Sequence, residues 1–154
     1  MTPAINAAKK AKIAFTVHEY AHDPACASYG LEAAEKLNID PARVFKTLVA
    51  DLGGELVVAI IPVEAMLGLK NLAKAAGSKK AAMADKALVE RTTGYVLGGV
   101  SPLGQKKRLR TFIDASAQSL PTMHVSAGRR GLEIELAPAD LTRLTGGTFA
   151  DLRQ

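Results

Sequence analysis

Lys46 stands inside the apolar run VFKTLV. In an extended strand Val44, Lys46, Leu48 and Ala50 would point to one side, and Phe45, Thr47 and Val49 to the other. Both sides are largely apolar, so an ammonium there is costly unless a pocket receives it. Beside an ester, a desolvated cation would stabilise developing negative charge. The plainer alternative is an edge-strand lysine whose head reaches water along its own stem. A second stretch, GGVSPLGQKKRLR (98–110), packs three glycines and a proline into seven positions and then adds Lys106, Lys107, Arg108 and Arg110. Small residues let a ligand approach the amides of Gly98, Gly99, Val100 and Ser101 before Pro102. A concave set of such N–H groups binds anions and polarised carbonyl oxygens. The basic block would attract phosphates. The stretch lacks the lysine and hydroxyl of GxxxxGK[ST], and no GxGxxG follows a strand, so it is neither of those phosphate fingerprints. Its plain reading is a connection from helix to strand.

The other reactive side chains form weaker patterns. His22 precedes Cys26 by four residues, which would suit a Cys–His nucleophile on a helix. HDPACASYG reads as a loop, however, and a lone thiol among alanines is ordinarily a small apolar side chain. His18, His22 and His124 show no ligand spacing, and there is no second cysteine for a zinc cluster, so no metal is expected. Arg129–Arg130 falls at a hairpin tip. Lys9, Lys10, Lys12, Lys79 and Lys80 read as solvated faces.

The elements that must position these groups follow from pattern. Thr2–Pro3 is a cap followed by a first-turn proline, and a helix can run to Lys12. FTVHEY (15–20) reads as a strand, 31–38 as a helix, and Asp40–Pro41 as a turn. Residues 44–52 and 55–63 form a hairpin around Gly53–Gly54, apolar on both faces and so covered on both, with Pro62 at a strand end. Helices are expected at 69–76 and 85–92, the second capped by Asp85. Residues 80–83 suit a short strand, 109–114 a strand, and 115–119 a short helix. Residues 122–128 and 132–136 make a second hairpin, and Pro138 opens a last helix ending near Gly146. The mixture is α+β rather than regular βαβ alternation.

The totals agree with one domain over residues 1–154 and a core of Ala, Leu, Val and Ile, since Trp is absent and aromatics are 5%. Lys and Arg exceed Asp and Glu by 20 to 15, a net charge of +5 that favours polyanions, nucleic acid first. Stacking aromatics are too scarce for an RRM-type reader. One cysteine suits a reducing compartment. MTPAINAAKKAK lacks the apolar core of a signal peptide, and LVVAIIPV is too short to span a bilayer, so a cytoplasmic protein is expected.

The segments MTPAI, EYAHDPA, VFKTL, MADKALVERTTGYVLGGVSPLGQKKRL and VSAGRRGLEIEL resemble the YbaK/EbsC-type aminoacyl-tRNA deacylases, most closely the Cys-tRNA(Pro)/Cys-tRNA(Cys) deacylase branch. The resemblance covers nearly the whole chain and is most specific from Thr93 to Leu109. It implies a compact mixed β, barrel-like core ringed by helices. It also implies trans-acting removal of cysteine from tRNA(Pro) and from tRNA(Cys), alongside prolyl-tRNA synthetase and without a cofactor. The family lysine corresponds to Lys46, and the family's G-x-x-x-P turn to Gly98–Pro102. Other pocket positions fall on Tyr20, Tyr29, Thr47, Ser126, Gly128 and Glu133. The departures are Tyr29, Ala127 and Glu133, where the branch carries phenylalanine, glycine and aspartate. In the family's route the substrate thiol attacks its own ester, which suits a chain with no convincing triad. Lys106, Lys107 and Arg108 are expected on acceptor-stem phosphates, with Arg129 and Arg130 second. A non-catalytic tRNA- or synthetase-binding module, or a deacylase of Ala-tRNA(Pro), are the alternatives.

Overall fold

The structure, a computed structural model, describes residues 1–26 and 29–154. Its centre is the expected hairpin of β2 (Phe45–Asp51) and β3 (Leu56–Pro62), paired from Phe45–Pro62 to Asp51–Leu56. Asp51 closes the turn by accepting the amides of Gly53 and Gly54 at 2.8 and 2.7 Å. Short β4 (Ala82–Met83), β5 (Arg110–Asp114) and β8 (Thr148–Ala150) complete a five-stranded sheet in the order β4-β2-β3-β5-β8. Strand β3 is covered on both sides, as its unbroken apolar run requires. Val58 and Ile60 face the main core with Ile113 and Ile134, while Val57, Ala59 and Ile61 pack against Leu72 and Leu152.

A second sheet holds β1 (Phe15–Glu19), β7 (Leu132–Leu136) and β6 (Met123–Arg129), with β7 in the middle and all pairs antiparallel. Alternation along LEIEL sends Leu132, Ile134 and Leu136 into the core. It leaves Glu133 and Glu135 on the other face, in register with His18 and Ser126, and with Thr16 and His124. An isolated bridge from Val44 to His124 joins the two sheets.

Helices α1 (Pro3–Ala11), α2 (Tyr29–Lys36), α3 (Leu69–Ala76), α4 (Lys86–Thr93) and α5 (Pro138–Thr145) pack around these sheets. Thr2 caps α1 as expected, accepting the Ile5 amide, and also donates to the Ala127 carbonyl of β6 at 2.5 Å, which fixes α1 against the second sheet. Asp85 caps α4 through the Leu88 amide at 3.2 Å. The expected α+β class is the one observed. Helix α2 begins two residues before the expected Leu31, and β8 was not foreseen. No described helix is long and apolar enough to cross a membrane.

Candidate active site

The pairing of β2 with β4 covers only Ala50 and Asp51, and the bridge to β6 involves only Val44. The intervening edge of β2 has no ladder partner among the described residues. That opening lets both Lys46 and Thr47, on opposite sides of the strand, reach one cleft of about 350 Å³. The second sheet supplies Ser126 and Glu133, the segment after β1 supplies Tyr20, and the Gly-rich turn supplies Gly98 and Val100. Arg129 and Arg130 stand at the same cleft, and Phe45, Leu48 and Leu97 give it apolar walls.

Several polar groups there lack partners. The Lys46 ammonium makes no hydrogen bond or ion pair among the described residues, and burial lowers its pKa below the usual lysine range. The Thr47 hydroxyl is buried without a partner among the described residues. Glu133 is 7% exposed, has no hydrogen bond to the described protein, and is pushed up to about 8 by burial. Tyr20 is pushed up to about 12 by burial and then by the charge of Glu133. Ser126 Oγ accepts the Gly128 amide at 3.1 Å, which leaves its hydrogen free to donate. Unpartnered buried polar groups are costly in a folded protein and ordinarily mark function.

The turn forms a wall held from several sides. The Leu97 amide donates to Glu90 Oε2 at 3.0 Å, and its carbonyl accepts from Arg130 at 3.0 Å. The Tyr95 hydroxyl donates to the Leu103 carbonyl at 2.6 Å. Gly98 has a φ of 89°, a left-handed conformation that glycine adopts without strain. The Gly99 amide donates to the Val96 carbonyl at 2.9 Å and so is not presented to a ligand, contrary to expectation. The amides of Gly98 and Val100 carry no hydrogen bond among the described residues. Gly99 instead serves close packing, because a Cβ there would lie 2.9 Å from Arg129 Cα. Gly99→Ala is expected to destabilise the fold by about 1–3 kcal/mol and to lower turnover by displacing the turn. Thermal unfolding and kcat/KM measured together check this.

The remaining expected residues lie elsewhere. Ser101 and Pro102 are buried and do not line the cleft, and Ser101 Oγ accepts the Leu103 amide at 3.2 Å. Gly128 packs against Tyr95, whose Cε1 would lie 2.8 Å from a Cβ. Tyr29 opens α2, and its side chain lies outside the described residues. Lys106 and Lys107 fold back on the end of α4 through amides bonded to the Thr93 and Thr92 carbonyls at 2.9 and 3.1 Å. Lys107 and Arg108 border a separate depression with Glu55 and Arg110, so nearness in sequence to the turn does not bring the block to the cleft. The arginine pair at the hairpin tip does reach it. His22, considered with Cys26, bonds Glu32 Oε1 at 2.6 Å, and Cys26 does not line the cleft. Sequence reasoning missed the apolar walls Phe45, Leu48 and Leu97, which carry no chemical signature.

Comparison with known proteins bears on this geometry. The aminoacyl-tRNA editing domain family matches residues 23–144. EbsC of Enterococcus faecalis, whose name refers to Cys-tRNA(Pro)/Cys-tRNA(Cys) deacylation, is 42% identical over 153 residues, 98% of this chain and 92% of that protein. YwhH of Bacillus subtilis, which has no assigned activity, is 27% identical over 115 residues, 74% of this chain and 73% of that protein. A crystal structure described as a trans-editing enzyme for prolyl-tRNA synthetase superposes with a TM-score of 0.86 at 23% identity, covering 99% of this chain and 95% of that one. At that identity the likeness speaks for the fold.

Proposed function

The chain belongs to the aminoacyl-tRNA editing domain family, and from that premise we propose that it removes cysteine from tRNA(Pro), and also from tRNA(Cys). It acts in trans in the cytoplasm beside prolyl-tRNA synthetase, as one editing domain over residues 1–154. The carrying observation is the meeting of a lysine, a threonine hydroxyl and a carboxyl, none with a side-chain partner among the described residues, in one cleft beside a glycine turn.

Each group has a role suited to its chemistry. Lys46 stabilises negative charge at the ester or terminal phosphate. The amides of Gly98 and Val100 receive the carbonyl oxygen. Thr47 and Ser126 hydrogen-bond the aminoacyl or ribose groups. Glu133 receives the α-ammonium, and Tyr20 packs beside it. Arg129 and Arg130 meet backbone phosphates.

The substrate supplies its own nucleophile. Its sulfur forms a bond to the carbonyl carbon and the ester C–O bond breaks. The thiol proton ends on the departing ribose oxygen. The products are a cyclic thioester and free tRNA, so the step consumes no water. The protein contributes orientation and electrostatics.

A panel of charged tRNAs tests the reading. Cys-tRNA(Pro) is expected to lose its amino acid more than about tenfold faster than Ser-tRNA(Pro), because a hydroxyl is the poorer internal nucleophile at neutral pH. Cys26→Ala is expected to keep wild-type rates. Equal rates for the cysteine and serine esters would point to a protein-held water. Preferential loss of alanine would assign the alternative specificity, and no ester loss from any member would leave a binding module.

A further inference from the structure

Outside the cleft lining, three adjacent strands bring two imidazoles and a carboxylate together. His124 on β6 stands opposite Glu135 on β7, and His18 on β1 reaches the same carboxylate diagonally from beside Glu133. His18 Nε2 lies 2.9 Å from Glu135 Oε1, and His124 Nε2 lies 3.9 Å from Oε2. The two rings are 5.2 Å apart between centroids. One donor atom from each residue falls within 4.8 Å of the others. Tetrahedral bonds of about 2.0–2.2 Å set ligand atoms about 3.3–3.6 Å apart, so the widest pair closes by about an ångström, within reach of side-chain rotation, when an ion enters.

His124 gives the second, independent reason. It is 2% exposed, yet neither ring nitrogen makes a hydrogen bond among the described residues, and Nδ1 is buried without a partner. A buried imidazole without hydrogen bonds is costly. Its Nε2 faces the carboxylate from beyond hydrogen-bond reach, the separation that an intervening ion would span. Glu135 is oriented from its other side. Oε2 accepts from Thr122 Oγ1 at 2.5 Å and lies 3.6 Å from the Arg43 guanidinium, which itself donates to Thr122 Oγ1 at 2.6 Å. Such outer partners fix ligating carboxylates, and Arg43 also lowers the affinity of the site below that of an otherwise equal one. His18 and Glu135 keep about a quarter of their side-chain surface exposed (29% and 25%), which gives an ion a path in.

We propose that His18, His124 and Glu135 bind one divalent ion of the zinc class, tying β1, β7 and β6 together. Two imidazoles and one carboxylate suit Zn²⁺ or Co²⁺ and suit the oxygen-seeking Mg²⁺ and Ca²⁺ poorly. The ion would sit on the same sheet face as Ser126 and Glu133, one alternate position along β6 and β7. The proposal does not depend on the deacylase reading.

Titration of the full chain with Co²⁺, followed by visible absorption, and with Zn²⁺ by calorimetry tests it. Saturation at one ion per chain is expected. His18→Ala, at the exposed edge strand, is expected to weaken binding at least about 100-fold while keeping the wild-type circular dichroism spectrum. His18→Gln serves the same purpose if the alanine variant unfolds. His22→Ala is expected to bind as the wild type does. Absence of saturable binding overturns the proposal. So does wild-type affinity in the His18 variants, or loss of binding in His22→Ala alone.

Discussion

Replacing Lys46 by alanine is expected to lower kcat/KM for Cys-tRNA(Pro) by about 10²–10³-fold, the effect of removing one preorganised charge-stabilising group. The reasoning starts from the edge of β2. Because β4 pairs only with Ala50 and Asp51, the Lys46 side chain can enter the cleft instead of packing under a neighbouring strand. Among the described residues no carboxylate neutralises it, so its field acts on whatever enters. Burial lowers its pKa, which means that the folded state disfavours the charged form. Removing the side chain therefore leaves the unfolding midpoint at pH 7 unchanged or slightly raised. A single-turnover assay with thermal unfolding on the same sample separates the two effects. Full activity in Lys46→Ala, combined with inactivity of Cys26→Ala, would move the chemistry to a protein thiol. Lys46→Arg is a sharper probe, because a planar fork does not place charge where an ammonium does.

The second large effect concerns Glu133 and is read without substrate. Its folded-state pKa is pushed up to about 8 by burial, against 4.5 for a free glutamate. Between those values the folded protein holds a proton that the unfolded chain releases. Stability then falls as pH rises through that window. Glu133→Gln carries no titrating proton, so its advantage over wild type is expected to grow from pH 5 to above pH 8 and then level off. The full difference is on the order of 5 kcal/mol, about 10–20 °C in Tm for a domain of this size. The same variant is expected to process Cys-tRNA(Pro) poorly, because an amide cannot release a proton to become the carboxylate that pairs with the arriving α-ammonium. A variant that is firmer but slower is the signature of a group kept for function against stability. Parallel Tm–pH curves for the two proteins would remove Glu133 from that role.

The outcome shows which signals a sequence carries. The two hairpins, the caps Thr2 and Asp85, and the covered character of β3 follow from local pattern, and the structure has them. The convergence of Lys46, Ser126, Glu133 and the 98–102 turn was readable only through family resemblance, because the contacts join segments tens of residues apart. Alternation in LEIEL, with Glu133 and Glu135 on one face, was a local clue to a polar surface that periodicity alone would have disclosed. Lys106–Arg108 lie near the turn in sequence, but Lys107 and Arg108 border another depression, so a contact of theirs with tRNA phosphates would fall outside the cleft. Hydrogen bonds to Thr92 and Thr93 turn that block back along α4. Strand β8 has only three residues and owes its existence to the free parallel edge of β5. His18 and His124 have no spacing to recognise, since the β1-β7-β6 order creates their proximity.

The many fastenings of the 97–103 wall have a thermodynamic corollary. A segment fixed through Glu90, Arg130, Tyr95 and Arg129 has already lost its conformational entropy during folding, so little ordering remains for the moment of encounter. On the deacylase reading, discrimination at such a rim works as a sieve. A cargo side chain too bulky for the chamber meets steric resistance at once, since the boundary does not yield to accommodate it.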